Sequence, residues 1–374
     1  MKIERIDLYH IKQTLQKPFT TSFGTQVDRE CIILAMYSEG LIGWGECVAG
    51  TDPGYSYETN GTAGHVLRDF LIPKVLGQDL QEPEDILEMM SSVRGHYMAK
   101  ATLDQAAWDL TAQRDGVSVA QKLAAPHGGP RERVSVGVSN GIQPKVNDTL
   151  KVIEGRLAEG YRRIKLKIKP GHDLELARAA TAAFPDIDIM LDANSAYTLE
   201  EAVPVFQAMD DLKLLMIEQP LAHYDILDHS KLRPQIKNPL CLDESIHAIH
   251  DARIALALDA CDIINIKPGR VGGWTIARKI HDICYEAGIP VWCGGMLETG
   301  VGRAAQLALA ALPGFTLPGD ISATERYYAR DITQHYELNT KDSTITVPTD
   351  PGLGIQMDFA QLEQVTNKME TFKM

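Results

Sequence analysis

Six cysteines in 374 residues (Cys31, Cys47, Cys241, Cys261, Cys284 and Cys293) include no CxxC pair, so neither a zinc site nor a disulfide framework is signalled. Free thiols in the cytosol are the expectation. Long hydrophobic runs are missing too: no uninterrupted apolar stretch approaches the ~18 residues of a membrane span. The N-terminus, MKIERIDLYHIKQTL, carries charges inside its first apolar stretch, where a signal peptide would hold an unbroken apolar segment. Positive charge is in deficit. Lys+Arg number 37 against 50 Asp+Glu, a net charge of −13, and that field repels phosphates and argues against nucleic acid or an anionic membrane as partner. A soluble cytoplasmic protein is predicted.

What is present is a globular composition, 44% hydrophobic and 23% charged with 30 Gly and 19 Pro, on a chain too long for one ordinary compact domain. Residues 1–128 read as an α+β capping domain: a small antiparallel meander (Ile3 to Ile11, Cys31–Tyr37, Leu41–Trp44), then amphipathic helices over Val66–Leu76, Glu84–Val93 and Ala99–Arg114. Residues 129–345 alternate short apolar strands with helices. The strands are predicted at Val134–Ser139, Ile164–Ile168, Ile187–Asp192, Leu214–Glu218, Leu240–Asp243, Ile263–Lys267, Val291–Gly294 and Phe315–Gly319. Eight such units match a (β/α)8 barrel. The open doubly wound alternative lacks a GxGxxG after its first strand. Residues 346–374 read as turns and short strands that return to the capping domain.

Charged residues close consecutive strands: Asp192, Glu218, Asp243 and Lys267 follow one another at intervals of 26, 25 and 24 residues, one βα unit each. In a parallel barrel these ends converge at the C-terminal mouth, where barrel active sites are built. Three clustered carboxylates repel one another unless a cation joins them, and an all-oxygen donor set suits Mg2+ or Mn2+ better than zinc. Lys165 and Lys167 lie two apart on one strand and so point to the same side, into the barrel. Mutual repulsion is expected to lower their pKa and make one a usable base. Lys167 and Lys267 fall on opposite walls. A substrate whose carboxylate binds the ion would hold its α-carbon between them, an arrangement for proton abstraction through a stabilised enediolate.

These residues resemble the enolase superfamily, and within it the muconate-lactonising subgroup. Tyr161-Arg-Arg-Ile-Lys-Leu-Lys-Ile-Lys-Pro170, Asp192-Ala-Asn-Ser-Ala-Tyr197, Ile217-Glu-Gln-Pro-Leu221, Cys241-Leu-Asp-Glu-Ser245, Gly294-Gly-Met-Leu-Glu-Thr-Gly300 and Leu317-Pro-Gly-Asp-Ile-Ser322 are similar to the o-succinylbenzoate synthase / N-succinylamino acid racemase family, over essentially the whole chain. The resemblance implies a modified barrel with a capping domain, and Asp192, Glu218 and Asp243 as Mg2+ ligands. It implies Lys167 as the base, with Lys165 lowering its pKa, and Lys267 as the acid/base or stabilising cation of the opposite face. Asn194 and Glu244 would orient these groups from behind. Ser139, Gly294, Gly295 and Met296 would hold a succinyl or N-acyl arm, and Phe19, Phe23 and Tyr55, on two cap loops, would cover an apolar substrate portion. Ala305-Gln306 departs from the His-Asn pair expected there. The implied reaction is dehydration of a succinyl-hydroxycyclohexadiene carboxylate to o-succinylbenzoate in menaquinone synthesis, with racemisation of N-succinylamino acids as second activity or alternative. The resemblance also implies a homo-oligomer. A dipeptide epimerase and a non-catalytic barrel are the weaker rivals.

His223, His229, His247 and His250 are predicted to be surface histidines. Glu298 is expected to hydrogen-bond within its turn or to be a buried structural carboxylate, and Gly269-Arg-Val-Gly-Gly273 to open a helix tightly against the barrel, Arg270 being a candidate substrate contact.

Overall fold

The computed structural model describes residues 1–21 and 24–374; Phe23, a predicted lid residue, lies outside the described residues. The chain opens with three antiparallel strands, β1 (Arg5–Thr21), β2 (Gly24–Ser38) and β3 (Leu41–Cys47). Alternate side chains of a strand face opposite ways, and β2 buries both sets. Ile32, Leu34 and Met36 join a core within the cap, while Cys31, Ile33 and Ala35 join the core shared with the barrel. Hence the unbroken apolar run at this point of the sequence. The first two strands are longer than predicted: Phe19, Thr20 and Thr21 pair with Gln26, Thr25 and Gly24, so these residues of the expected lid loop are strand.

The helix Tyr97–Asp115 is buried on almost every side. It lies directly on β3, because a Cβ at Gly45 would fall 2.0 Å from the Thr102 carbonyl oxygen and one at Gly43 would fall 2.2 Å from that of Ala106. Its polar residues reach across to the barrel: Asp104 accepts from the Thr275 amide (3.2 Å) and hydroxyl (2.6 Å), and Trp108 Nε1 donates to the same hydroxyl (2.8 Å).

A short strand β4 (Arg133–Ser135) is followed by seven parallel strands: β5 (Val138–Asn140), β6 (Arg163–Lys167), β7 (Asp188–Asp192), β8 (Ile217–Glu218), β9 (Leu240–Leu242), β10 (Ile263–Asn265) and β11 (Val291–Trp292). The predicted eighth strand is present only as single bridges, Val291 with Phe315 and Val136 with Gly319, which close the ring; Pro318 has no amide to continue a ladder. The predicted first strand is split. β4 leaves the barrel to pair with β12 (Thr344–Thr346), and the chain bends at Gly137, where a Cβ would meet the Arg163 guanidinium at 2.3 Å.

The tail also differs from its reading. The helix Phe359–Val365, capped by Asp358 accepting from Gln361 N at 2.9 Å, leads into β13 (Thr366–Lys373), an eight-residue strand antiparallel to β1. A helix not foreseen at all, Ile226–Leu232, is capped by Asp225. It carries His229, which is no surface residue: fully buried, it accepts from Leu221 N (3.3 Å) and contacts the Asp225 carbonyl (2.6 Å). Among the described residues no helix is long and apolar enough to cross a membrane.

Period 2 builds the barrel interior. Met190, Met216, Cys241, Ile263 and Trp292 pack as an apolar plug, and two residues further along these strands come Asp192, Glu218, Asp243, Asn265 and Gly294. The plug is the floor of the site, and the four side chains one step above it, Asp192, Glu218, Asp243 and Asn265, are polar.

Candidate active site

On β6 the inward residues are Arg163, Lys165 and Lys167, all buried. Lys165 Nζ lies 3.1 Å from Glu218 Oε2, 3.3 Å from Asp192 Oδ2 and 4.9 Å from the centre of the Trp292 ring, and it is paired with Asp320. Lys167 Nζ donates to Asp192 Oδ2 at 2.6 Å and to Asn194 Oδ1 at 2.8 Å; Asn194 Nδ2 donates in turn to Glu244 Oε1 at 2.8 Å. Across the ring, Lys267 Nζ lies 2.8 Å from Asp243 Oδ2 and donates to the Tyr55 hydroxyl at 2.9 Å. Arg270 pairs with Asp243, donates to the Tyr55 hydroxyl at 3.2 Å and is held by the carbonyls of Ile246 and Asn265. Asn265 Nδ2 donates to Glu218 Oε1 at 2.8 Å.

Asp192, Glu218 and Asp243 are 1% exposed or less. Such burial is tolerable only with counter-charges close by, and each carboxylate has a cation within contact distance. Burial raises the pKa of Asp192, but Lys167 and Lys165 outweigh it and hold the group below the ordinary carboxylate range. Burial and the Asp192 charge push Glu218 up. Burial, with the same charge, pushes Glu244 up to about 7. Lys165 departs from the sequence expectation. Burial disfavours its ammonium, yet Asp320, Glu218 and Asp192 more than compensate and raise its pKa, so three carboxylates outweigh the repulsion between lysines. Lys267 is raised likewise, against burial, by Tyr55 and Glu218.

Lys165, Lys167, Lys267 and Asn194 line one cavity together with Ser139, Gly295, Met296, Phe19 and Tyr55, while the three carboxylates stand behind the ammonium groups. Phe19 and Met296 present the cavity's apolar side. Tyr55 lines the cavity from the cap, and its hydroxyl and ring (4.6 Å from Lys267 Nζ) also make it a partner of Lys267. Gly294 has a steric role, since a Cβ there would fall 2.5 Å from Lys267 Cε. Gln306, at the departure from the expected pair, donates to the Gly294 carbonyl at 2.9 Å and secures this turn. Glu298 does both things expected of it: it is buried, and it accepts from Met296 N at 2.7 Å. Among the described residues Ser139 Oγ, which is buried, has no hydrogen-bond partner.

Asp320 is the principal residue that the sequence reading passed over. It pairs with Lys165 and accepts from Arg163 Nη1 at 2.7 Å. The signal was available: Asp320 directly follows the predicted strand Phe315–Gly319, as the three ligand candidates close theirs.

For a cation the barrel offers three hard carboxylates on consecutive strands, neutralised here by lysines. Among the described residues, the His, Cys and acidic donors already within one coordination radius of each other are elsewhere, at His127, His281 and Asp282. There the Gly314 amide donates to His281 Nε2 (2.9 Å), which leaves the ring proton on Nδ1, 2.8 Å from Asp282 Oδ1. That is a closed hydrogen-bond network, with no lone pair on Nδ1 to offer a metal.

Comparison with known proteins agrees with this architecture. Residues 5–124 match the mandelate racemase / muconate lactonizing enzyme N-terminal domain, and residues 148–361 the enolase C-terminal domain-like family. The chain is 49% identical over 373 residues to o-succinylbenzoate synthase of Geobacillus kaustophilus, covering 100% of this chain and 98% of that protein. It is 46% identical to N-succinylamino acid racemase of Thermus thermophilus, covering 98% of each. A solved structure of an enolase superfamily member from Listeria innocua superposes with a TM-score of 0.94 at 38% identity, covering 100% of this chain and 99% of that one. The chain is therefore an enzyme of the enolase superfamily and belongs to its o-succinylbenzoate synthase / N-succinylamino acid racemase family.

Proposed function

We propose that this enzyme dehydrates 2-succinyl-6-hydroxy-2,4-cyclohexadiene-1-carboxylate to o-succinylbenzoate, a menaquinone-pathway step, and that it also racemises N-succinylamino acids. The observation that carries the reading is the placement of Lys167 and Lys267 on facing walls of one cavity, with Asp192, Glu218 and Asp243 behind them. Relatives named for each reaction, at 46–49% identity, support it. Asp192, Glu218 and Asp243 would hold Mg2+ or Mn2+, and the ion would bind the substrate carboxylate and stabilise the charge that builds on it.

Lys167, neutral at the moment of reaction, takes the α-proton. In dehydration the C–H pair becomes the new ring double bond, the hydroxyl leaves with the C–O pair, and the proton held on Lys167 completes a water on the same face. The Lys267 ammonium meanwhile faces the developing negative charge. In racemisation Lys267 delivers a proton to the opposite face. Asn194 and Glu244 keep Lys167 in place, and Tyr55 and Arg270 do the same for Lys267. Ser139, Gly295 and Met296 receive the succinyl arm. A dipeptide epimerase needs a free acid for its substrate's ammonium, and Asp320 is already held by Lys165 and Arg163. The enzyme is expected to assemble as a homo-oligomer, which light scattering tests.

Dehydration assays, with α-proton exchange in D2O on each N-succinyl enantiomer, test the reading. Exchange of both enantiomers alongside dehydration supports both activities. Exchange of one only removes racemisation, and absence of dehydration removes the synthase.

A further inference from the structure

Beside the catalytic cavity lies a second cleft of about 490 Å3, formed where the β1 hairpin meets the barrel's first loop and its following helix. Its charge is unlike that of the protein around it. Lys17, Lys151, Arg156 and Arg326 line it against one carboxylate, Glu159, on a chain whose net charge is −13. Glu159 is committed to Arg156, with both its oxygens within 2.8 Å of Nη1. Lys17 and Lys151 are exposed and, among the described residues, take part in no ion pair. Arg326 is set between the rings of Phe19 (5.9 Å) and Tyr327 (5.0 Å), and among the described residues its buried Nε has no hydrogen-bond partner.

The cleft borders the active site. Phe19 lines both cavities, and Arg326 Nη2 donates to the carbonyl of Ser139 (3.2 Å), which borders the catalytic cavity. Arg156 Nε donates to Asn140 Oδ1 at 3.3 Å, on the strand next to β6. The floor of the cleft thus rests on β5, the strand that pairs with the lysine-bearing β6.

A dicarboxylate approaching an acidic protein is repelled except where the local field is reversed, and such a patch at the mouth of a site raises the rate of productive encounter. We propose that this cleft is an outer docking site for small dicarboxylates, which holds the substrate's distal carboxylate before the molecule passes Phe19 into the catalytic cavity. The inference rests on the proposed function in taking a dicarboxylate as substrate. Its evidence is separate: the cationic lining, the Arg326 Nε that has no partner among the described residues, and the shared Phe19.

The test is the double variant Lys17→Gln/Lys151→Gln, which changes exposed side chains that touch no catalytic group. α-Proton exchange kinetics are measured at low ionic strength with an N-succinylamino acid, which carries two carboxylates, and with the N-acetyl analogue, which carries one. For the dicarboxylate, kcat/KM is expected to fall about tenfold with kcat unchanged, and the difference to vanish as salt shortens the screening length. The N-acetyl substrate should change by less than about twofold. Equal losses for both substrates, or no loss for either, overturn the proposal. If the wild-type enzyme turns over neither substrate, the functional reading fails on its own. The cleft is then judged by calorimetric titration with o-succinylbenzoate: weaker binding to the variant upholds it and equal binding overturns it.

Discussion

Replacing Glu46 with alanine should loosen both the fold and the substrate-arm site. Glu46 stands on cap strand β3, fully buried, and its carboxylate serves the N-terminus of the barrel helix Gly300–Ala310. It accepts from Thr299 N (3.1 Å), Thr299 Oγ1 (2.6 Å) and Gly302 N (2.9 Å). Burial pushes its pKa up, and the nearby Arg29 guanidinium opposes that shift. Alanine leaves two backbone donors and a hydroxyl without an acceptor. At about 1–3 kcal/mol for each buried donor, less the relieved cost of burying a carboxylate, the loss should be about 3–5 kcal/mol. Glu46→Gln keeps one acceptor and should lose about half as much. The helix follows the Gly294–Glu298 turn, so KM for an N-succinyl substrate should rise together with the instability. Urea denaturation followed by tryptophan fluorescence measures the first effect and steady-state kinetics the second. A Glu46→Ala protein within about 1 kcal/mol of wild type, with unchanged KM, would refute the idea that this cap residue holds the barrel helix and its turn.

Lys167→Ala should reduce dehydration by at least about 10²-fold, the usual yield of a positioned base, with the circular dichroism spectrum unchanged; retained activity would remove Lys167 as the base. Lys167→Ala and Lys267→Ala should each abolish α-proton exchange of one N-succinyl enantiomer and not the same one, read by NMR in D2O. Chelation of divalent ions should abolish activity, and Mg2+ or Mn2+ should restore it; full activity in the chelator would sink the ligand assignment of Asp192, Glu218 and Asp243. Asp104 has a pKa pushed up to about 7 by burial, from 3.8. A raised acid stabilises the fold while protonated, so its contribution is complete below about pH 4 and is lost as pH rises toward 7, up to about 4 kcal/mol. Asp104→Asn should flatten that part of the wild-type stability curve between pH 4 and 8, and an unchanged slope in urea titrations would contradict it.

Sequence by itself determined the strand ends that carry charge. A strand alternates faces every residue and a βα unit repeats about every 25 residues in this chain, so Lys165 with Lys167, and Asp192, Glu218, Asp243 and Lys267, could be placed at one mouth from spacing alone. The apolar residues two positions earlier, Met190, Met216 and Cys241, follow from the same period. What partners each charge was decided only by the tertiary structure. Asp320 reaches Lys165 from 155 residues away and Tyr55 reaches Lys267 from 212, and no local pattern links them. Their contact depends on ring closure in one case and on the docking of the cap in the other. For the same reason the direction of the Lys165 pKa is set in three dimensions: two lysines on a strand repel, but three carboxylates from other strands prevail. The broken first strand, the bridged eighth and the sheet-forming tail were also settled in three dimensions. There Gly137 yields to Arg163, Pro318 cannot donate, and β13 finds an open edge on β1.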